Sequence, residues 1–180
     1  MRNRRGSAIE TYCNDAETQR SLENTNQEEL MNDRKIIYKD KSEYIGTTLK
    51  GLRHGKGLYK TPDGLVYEGE WKNNKYDGFG SLIYSDNSSY TGNFREGNKE
   101  GNGKLVLGKT IYDGEFLNDN KHGQGKETYP DGSCFQGRFE NGKKHGIGKT
   151  LSKKGKYILN DGSVYEGEFS NDNINGKVRR

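Results

Sequence analysis

One five-residue pattern returns along this chain: an aromatic, any residue, glycine, any residue, and a second aromatic. Tyr67-Glu68-Gly69-Glu70-Trp71 recurs from Tyr90, Tyr112, Phe135 and Tyr165, and Tyr44-Ile45-Gly46-Thr47-Thr48 is a degenerate first copy. The first residues lie 23, 23, 22, 23 and 30 positions apart. A Gly-x-Gly follows each of the first five copies, at Gly55/Gly57, Gly78/Gly80, Gly101/Gly103, Gly123/Gly125 and Gly146/Gly148. Asp-Gly stands four residues before the next aromatic at Asp63, Asp131 and Asp161, with Asp86-Asn87 and Asp40-Lys41 in the same slot. Such a period means that each copy is one supersecondary unit, which buries its apolar face only against its neighbours.

Each unit reads as a β-hairpin. Tyr-x-Gly-x-Trp alternates with period two, so ring, glycine and ring share one face while Glu68 and Glu70 take the other. The stretch from Lys72 to Asp77 is polar and Asn-rich and suits a turn. The second strand is expected to run from Gly-x-Gly into Leu82/Tyr84, Leu105/Leu107 or Tyr129. Asp-Gly then turns the chain into the next unit. Glycine normally weakens a strand, but here it leaves a slot that a ring from a neighbouring strand fills. On this reading Trp71 packs into such slots. Residues 44–176 should hold eleven or twelve sequential antiparallel strands and no helix.

Composition agrees with a thin core. Hydrophobic residues make up 28% of the 180, charged residues 31%, and mean hydropathy is −1.19. No segment reads as a transmembrane helix or a secretory h-region. Only Gly6 among 26 glycines precedes residue 46. Residues 1–33, polar and mixed in charge, therefore read as a flexible arm, with a pattern at 27–34 that admits a short helix; residues 34–180 read as the repeat array. Two cysteines, Cys13 and Cys134, form no CxxC and suggest a reducing compartment.

The runs Tyr67-Glu68-Gly69-Glu70-Trp71-Lys72-Asn73-Asn74-Lys75 and Asn141-Gly142-Lys143-Lys144-His145-Gly146-Ile147-Gly148 resemble the MORN (membrane occupation and recognition nexus) repeat. The resemblance spans about 44–176, with repeats starting at Tyr44, Tyr67, Tyr90, Tyr112, Phe135 and Tyr165 and the last one truncated. It departs from the pattern at Thr48, in the one-residue shortening before Tyr112, and in an insertion between Gly148 and Asp161. What it implies is an all-β protein: an elongated, single-sheet antiparallel meander of hairpins. It also implies a scaffold or a membrane- or cytoskeleton-linked module, in some cases in cilia and flagella.

No constellation of catalytic residues emerges. His54, His122 and His145 share one repeat slot, but adjacent copies lie two strands apart, roughly 9–10 Å, too far for one metal. Glu68, Glu70, Glu115, Glu166 and Glu168 form rows suited to cross-strand pairing rather than acid–base work. Gly-x-Gly is followed by no helix pattern, so it is no phosphate loop. An enzyme, a cofactor and a metal are not expected. Neither is nucleic acid: the aromatics are committed to packing, and a charge of +5 over residues 44–180 is modest.

Three surfaces are candidates for contact. The slot before Gly-x-Gly places Arg53, Lys75, Lys99, Lys121, Lys143 and Lys144 along one sheet edge, where they could meet anionic lipid or a partner. Asp77, Glu96 and Glu100 interrupt that row. The insertion carries Lys153, Lys154, Lys156 and Tyr157, a basic projecting loop for a partner. The C-terminal end, with Phe169 lacking its usual neighbour and Val178 in a glycine slot, is a docking edge for another protein or for self-association. The reading is a non-enzymatic scaffold that joins proteins in a cytoskeletal assembly in the cytoplasm, with the axoneme of a cilium or flagellum as its setting. The alternative is a peripheral membrane adaptor that binds anionic phospholipids through the basic edge.

Overall fold

The structure, a computed structural model, describes residues 11–13, 30–151, 166–170 and 173–175. Those residues are built from strands, with no helix among them. Two compact units divide the chain, Met1–Asp86 and Asn87–Arg180. The first holds β1 (Thr11–Cys13), β2 (Leu30–Tyr38), β3 (Glu43–Leu49), β4 (Leu52–Lys60), β5 (Val66–Lys72) and β6 (Lys75–Ile83). The second holds β7 (Ser89–Arg95), β8 (Asn98–Leu107), β9 (Thr110–Leu117), β10 (Asn120–Thr128), β11 (Cys134–Glu140), β12 (Lys143–Leu151), β13 (Glu166–Ser170) and β14 (Asn173–Asn175). In each unit every strand pairs with the next in the chain. All these pairs are antiparallel except that of β1 and β2, which is parallel. Among the described residues the strands from β3 to β14 number twelve, within the expected range.

Three differences from the sequence reading have clear causes. Leu30–Arg34 is strand, not helix: β2 pairs with β3 from Leu30↔Leu49 to Ile37↔Glu43, and a waiting partner strand overrides a weak local preference. β2 also begins four residues before residue 34, and Thr11–Cys13 lies beside Ile36–Tyr38. Within a hairpin the turn is only two residues long. Asn73 and Asn74 have φ of 49° and 67°, and Asn118 and Asp119 have φ of 47° and 67°. Two left-handed residues in succession make the turn that matches strand twist, which is where Asn and Asp are tolerated. The second strand therefore starts at Lys75, three residues before Gly78, rather than at the glycine pair.

The two glycines of Gly-x-Gly serve different ends. Gly78 sits at φ 103°, where the register of β5 and β6 shifts between Gly69 and Trp71. That is a β-bulge needing a left-handed residue. Gly80 is needed for room. A Cβ there would lie 2.5 Å from the Tyr67 hydroxyl, and one at its cross-strand partner Gly69 would lie 2.7 Å from it. The slot over the Gly69–Gly80 pair is thus filled by the first aromatic of the same hairpin, Tyr67. Tyr44, Tyr90 and Tyr112 occupy the same position over their own glycines, and Phe135 lies over Gly148.

Trp71 does something else. Its ring meets Tyr44 and Tyr67 edge-on, with centroids 5.4 and 5.1 Å apart, and its indole N–H donates to the Gly57 carbonyl at 3.1 Å. Phe116 bridges Tyr90 and Tyr112 in the same way, and Phe139 bridges Tyr112 and Phe135. First aromatics fill glycine slots; second aromatics lock one filled slot to the next. Edge-on ring pairs add about 0.5–1.5 kcal/mol each beyond burial, which matters in a core one layer deep.

Candidate functional site

Because the second strand starts early, the basic slot lies inside strands rather than in turns. Opposite each second aromatic, or Thr48, stands the slot residue: Thr48↔Arg53, Trp71↔Tyr76, Phe94↔Lys99, Phe116↔Lys121 and Phe139↔Lys144. Cross-strand partners share a face. The cations are therefore aimed at the ring face, not outward along an edge.

In the first unit the Arg53 guanidinium lies over three rings, 4.5 Å from Trp71, 4.9 Å from Tyr59 and 5.7 Å from Tyr38. Asn74, in the next hairpin turn, fixes it. The Asn74 side-chain oxygen accepts from the Arg53 backbone N–H at 2.8 Å and from Nε at 3.3 Å, and the Asn74 carbonyl accepts from Nη2 at 3.2 Å. A planar, weakly hydrated cation stacks on rings without a carboxylate. Burial raises the hydroxyls around it: Tyr44 and Tyr76 are each pushed up to about 12, against the pull of Arg53.

In the second unit the slot holds lysine, and each cation with a described ion pair meets a carboxylate. Lys99 lies 5.8 Å from the Tyr90 ring centroid and 3.7 Å from Asp119. Lys121 lies over Tyr112 and Phe139 and pairs with Glu127. Lys144 lies over Tyr129 and Phe135 at 5.3 and 5.2 Å. Glu127, opposite Tyr112, stands where two other copies hold an apolar residue: Leu82 opposite Tyr67 and Leu105 opposite Tyr90. Burial alone would raise its carboxyl. Hydrogen bonds from Lys121 and from the Tyr129 hydroxyl, the latter at 2.7 Å, outweigh burial and hold it below the usual carboxylate value.

The expected basic edge thus divides. Arg53, Lys99, Lys121 and Lys144 cap rings, whereas Lys75 and Lys143 are exposed at the first position after the turn. Asn74 and Asp119 were missed by sequence reasoning. Their signal was a spacing of 21 and 20 residues after Arg53 and Lys99, which matches one turn lying beside the next. Lys153, Lys154, Lys156, Tyr157 and Val178 lie outside the described residues. The backbone of Phe169 pairs with both Gly146 and Ile174, so β13 is flanked by β12 and β14 and is not the last strand, contrary to the expected edge.

The histidines occupy strand positions just before the bulge. The carbonyls of His54 and His122 accept from the Tyr44 and Tyr112 hydroxyls at 3.5 and 3.3 Å, and His145 Nε2 lies 3.3 Å from Glu140. Among the described residues no group of three or more His, Cys, Asp or Glu could hold a metal ion.

In each unit, hairpins stitched by glycine slots, ring bridges and turn contacts make a repeat array. The MORN repeat model matches residues 44–66, 67–89, 90–109, 112–134, 135–157 and 165–177, more than half of the chain. The chain belongs to the MORN repeat family, and the six segments begin at the residues where the copies begin in the sequence. MORN repeats are a non-enzymatic repeat type that mediates contacts with proteins or membrane lipids.

Curated relatives share only part of it. Alsin from Rattus norvegicus is 37% identical over 65 residues, covering 33% of this chain and 4% of Alsin. Alsin from Homo sapiens is 35% identical over 65 residues, with the same coverage. Protein TIC 100 from Arabidopsis thaliana is 47% identical over 47 residues, covering 26% of this chain and 5% of that protein. The matches thus span about one twentieth of these relatives' length. Among solved structures, the SAS-4 (dCPAP) TCP domain in complex with a proline-rich motif of Ana2 (dSTIL) of Drosophila melanogaster aligns at TM-score 0.43 and 12% identity, covering 68% of this chain and 66% of that one.

Proposed function

We propose that this chain is a non-enzymatic scaffold that joins protein partners in a larger cytoskeletal assembly of the cytoplasm, with the axoneme of a cilium or flagellum as its setting. One observation carries the preference for protein over lipid. Arg53, Lys99, Lys121 and Lys144 are spent on rings, and Arg53, Lys99 and Lys121 are also held by Asn74, Asp119 and Glu127. A cation engaged on a ring and a carboxylate adds little of the roughly 1 kcal/mol that a free Lys or Arg gains near an anionic membrane.

A second reading keeps a peripheral membrane adaptor, because Lys75 and Lys143 remain exposed beside the turns. Two assays separate them. Co-sedimentation with detergent-extracted axonemes should retain the chain. Co-sedimentation with phosphatidylserine vesicles should be weak and unchanged by Lys75→Ala/Lys143→Ala. Salt-sensitive vesicle binding lost in that double variant, with no axonemal retention, would reverse the assignment.

A further inference from the structure

The face of the second unit opposite the rings carries charges of another kind. Along β8–β11 the pairs Lys104↔Asp113, Asp113↔Lys126 and Lys126↔Gln136 form one row across four strands. Beside it runs an apolar row, Val106↔Ile111, Ile111↔Thr128 and Thr128↔Cys134. Lys104, Asp113 and Lys126 are exposed, and none forms an ion pair or side-chain hydrogen bond among the described residues. The contrast with Lys99 and Lys121, on the other face, is direct.

These rows complement themselves. A two-fold axis parallel to the strands, above the face and centred between β9 and β10, reverses strand order and keeps each row opposite itself. It sets Asp113 against the second copy's Lys126, Lys126 against its Asp113, and Lys104 against its Gln136. In the neighbouring row it sets Ile111 against Thr128 and Val106 against Cys134. In the third row a bulge sets both His122 and Gln124 beside Glu115, whose carboxylate accepts from the Gln124 N–H at 2.7 Å. The axis places Glu115 against the second copy's His122 and Gln124 and Asn102 against its Arg138, so no like charges meet. Packed sheets stand about 10 Å apart, within reach of a Lys and an Asp extended from either side. An isologous interface has to be self-complementary in this sense.

We infer that this face is a self-association surface, on which a second copy of the chain stacks sheet to sheet with Asp113 and Lys126 paired reciprocally. Four strands about 4.8 Å apart, by three rows about 6.7 Å apart, give roughly 400 Å² per copy, below the roughly 800 Å² of a standard interface. The dimer is therefore a weak one, and its use lies in clusters of copies already held together, where avidity multiplies it.

Sedimentation of the full chain over a range up to about a millimolar, with circular dichroism as a folding control, tests it. Wild type should dimerise with concentration. Asp113→Lys should weaken the dimer at least tenfold, as should Lys126→Asp, while each keeps its β spectrum. The swap Asp113→Lys/Lys126→Asp should restore it, and Asp113→Lys/Lys104→Asp should not. A strict monomer throughout the range, a dimer indifferent to Asp113→Lys, or a folded swap that stays monomeric would each overturn the proposal. Restoration by the Lys104 swap would overturn its centre.

Discussion

The ring face and the face behind it are built from the same strands, residue by alternate residue, yet they obey different rules. On the ring face Trp71 is 3% exposed, Gly80 leaves room only for the Tyr67 ring, and Arg53 and Lys121 are pinned by neighbours. On the other face Phe79 is 56% exposed, and Lys104 and Lys126 form no ion pair among the described residues. Within each unit the sheet therefore has one side where chemistry is fixed by packing and one where it is open to serve contacts. Adjacent residues in the chain should differ sharply in their cost of substitution.

The largest contrast is between two aromatics. Trp71→Ala removes the bridge between Tyr44 and Tyr67 and one wall around Arg53, and should cost about 4 kcal/mol, within the range for buried aromatic truncation. Phe79→Ala should stay within about 0.5 kcal/mol. Urea denaturation of both decides it; equal costs would break the two-sided picture.

Next come neighbours in β6. Gly80→Val drives a side chain into the Tyr67 ring and should cost about 3 kcal/mol, the upper end for overpacking. Phe79→Val, one residue back and on the other face, should be near neutral. An unchanged melting temperature for Gly80→Val would mean that the slot is not filled as described.

A smaller effect separates two carboxylates. Glu127→Ala strands Lys121 and should cost about 2 kcal/mol, discounted from the roughly 3–5 of a fully buried pair because both groups keep some solvent. Glu68→Ala should be silent. The sign with pH follows from the depressed carboxyl of Glu127. Its contribution is present above the unfolded value near 4.3 and is lost as pH falls through the lower folded value. Between about pH 5 and pH 3 the melting temperature of wild type should fall more steeply than that of Glu127→Leu/Lys121→Tyr, which copies the Leu82 and Tyr76 of another repeat.

The smallest effect is a single hydroxyl. Tyr112 donates to the Glu115 carbonyl at 2.9 Å, but Phe135 fills the equivalent slot without any such bond. Tyr112→Phe should cost about 1 kcal/mol. Burial holds the Tyr112 hydroxyl above its ordinary value, so the stability it contributes is full below about pH 10 and fades as pH rises toward the folded value. The variant should lose less stability than wild type in alkaline melts.

Much of this was legible in the sequence. The alternation of Tyr-x-Gly-x-Trp assigned rings and glycines to one face and Glu68 and Glu70 to the other. The 23-residue spacing gave the hairpins and their order, because local periodicity and turn chemistry act within one unit. The tertiary structure alone decided where the cations point. Arg53 and Lys121 look like turn residues by composition, but a two-residue turn (Lys50-Gly51 and Asn118-Asp119) and a bulge at the first glycine move them into the strand and onto the rings. Sequence also did not reveal that Glu127 would close on Lys121, or that Asn74 would reach Arg53. Those pairings join residues of different strands and turns, and only the register between strands sets which side chains share a row. Spacing along the chain fixes what each hairpin is; the stacking of hairpins fixes which charges are spent and which remain.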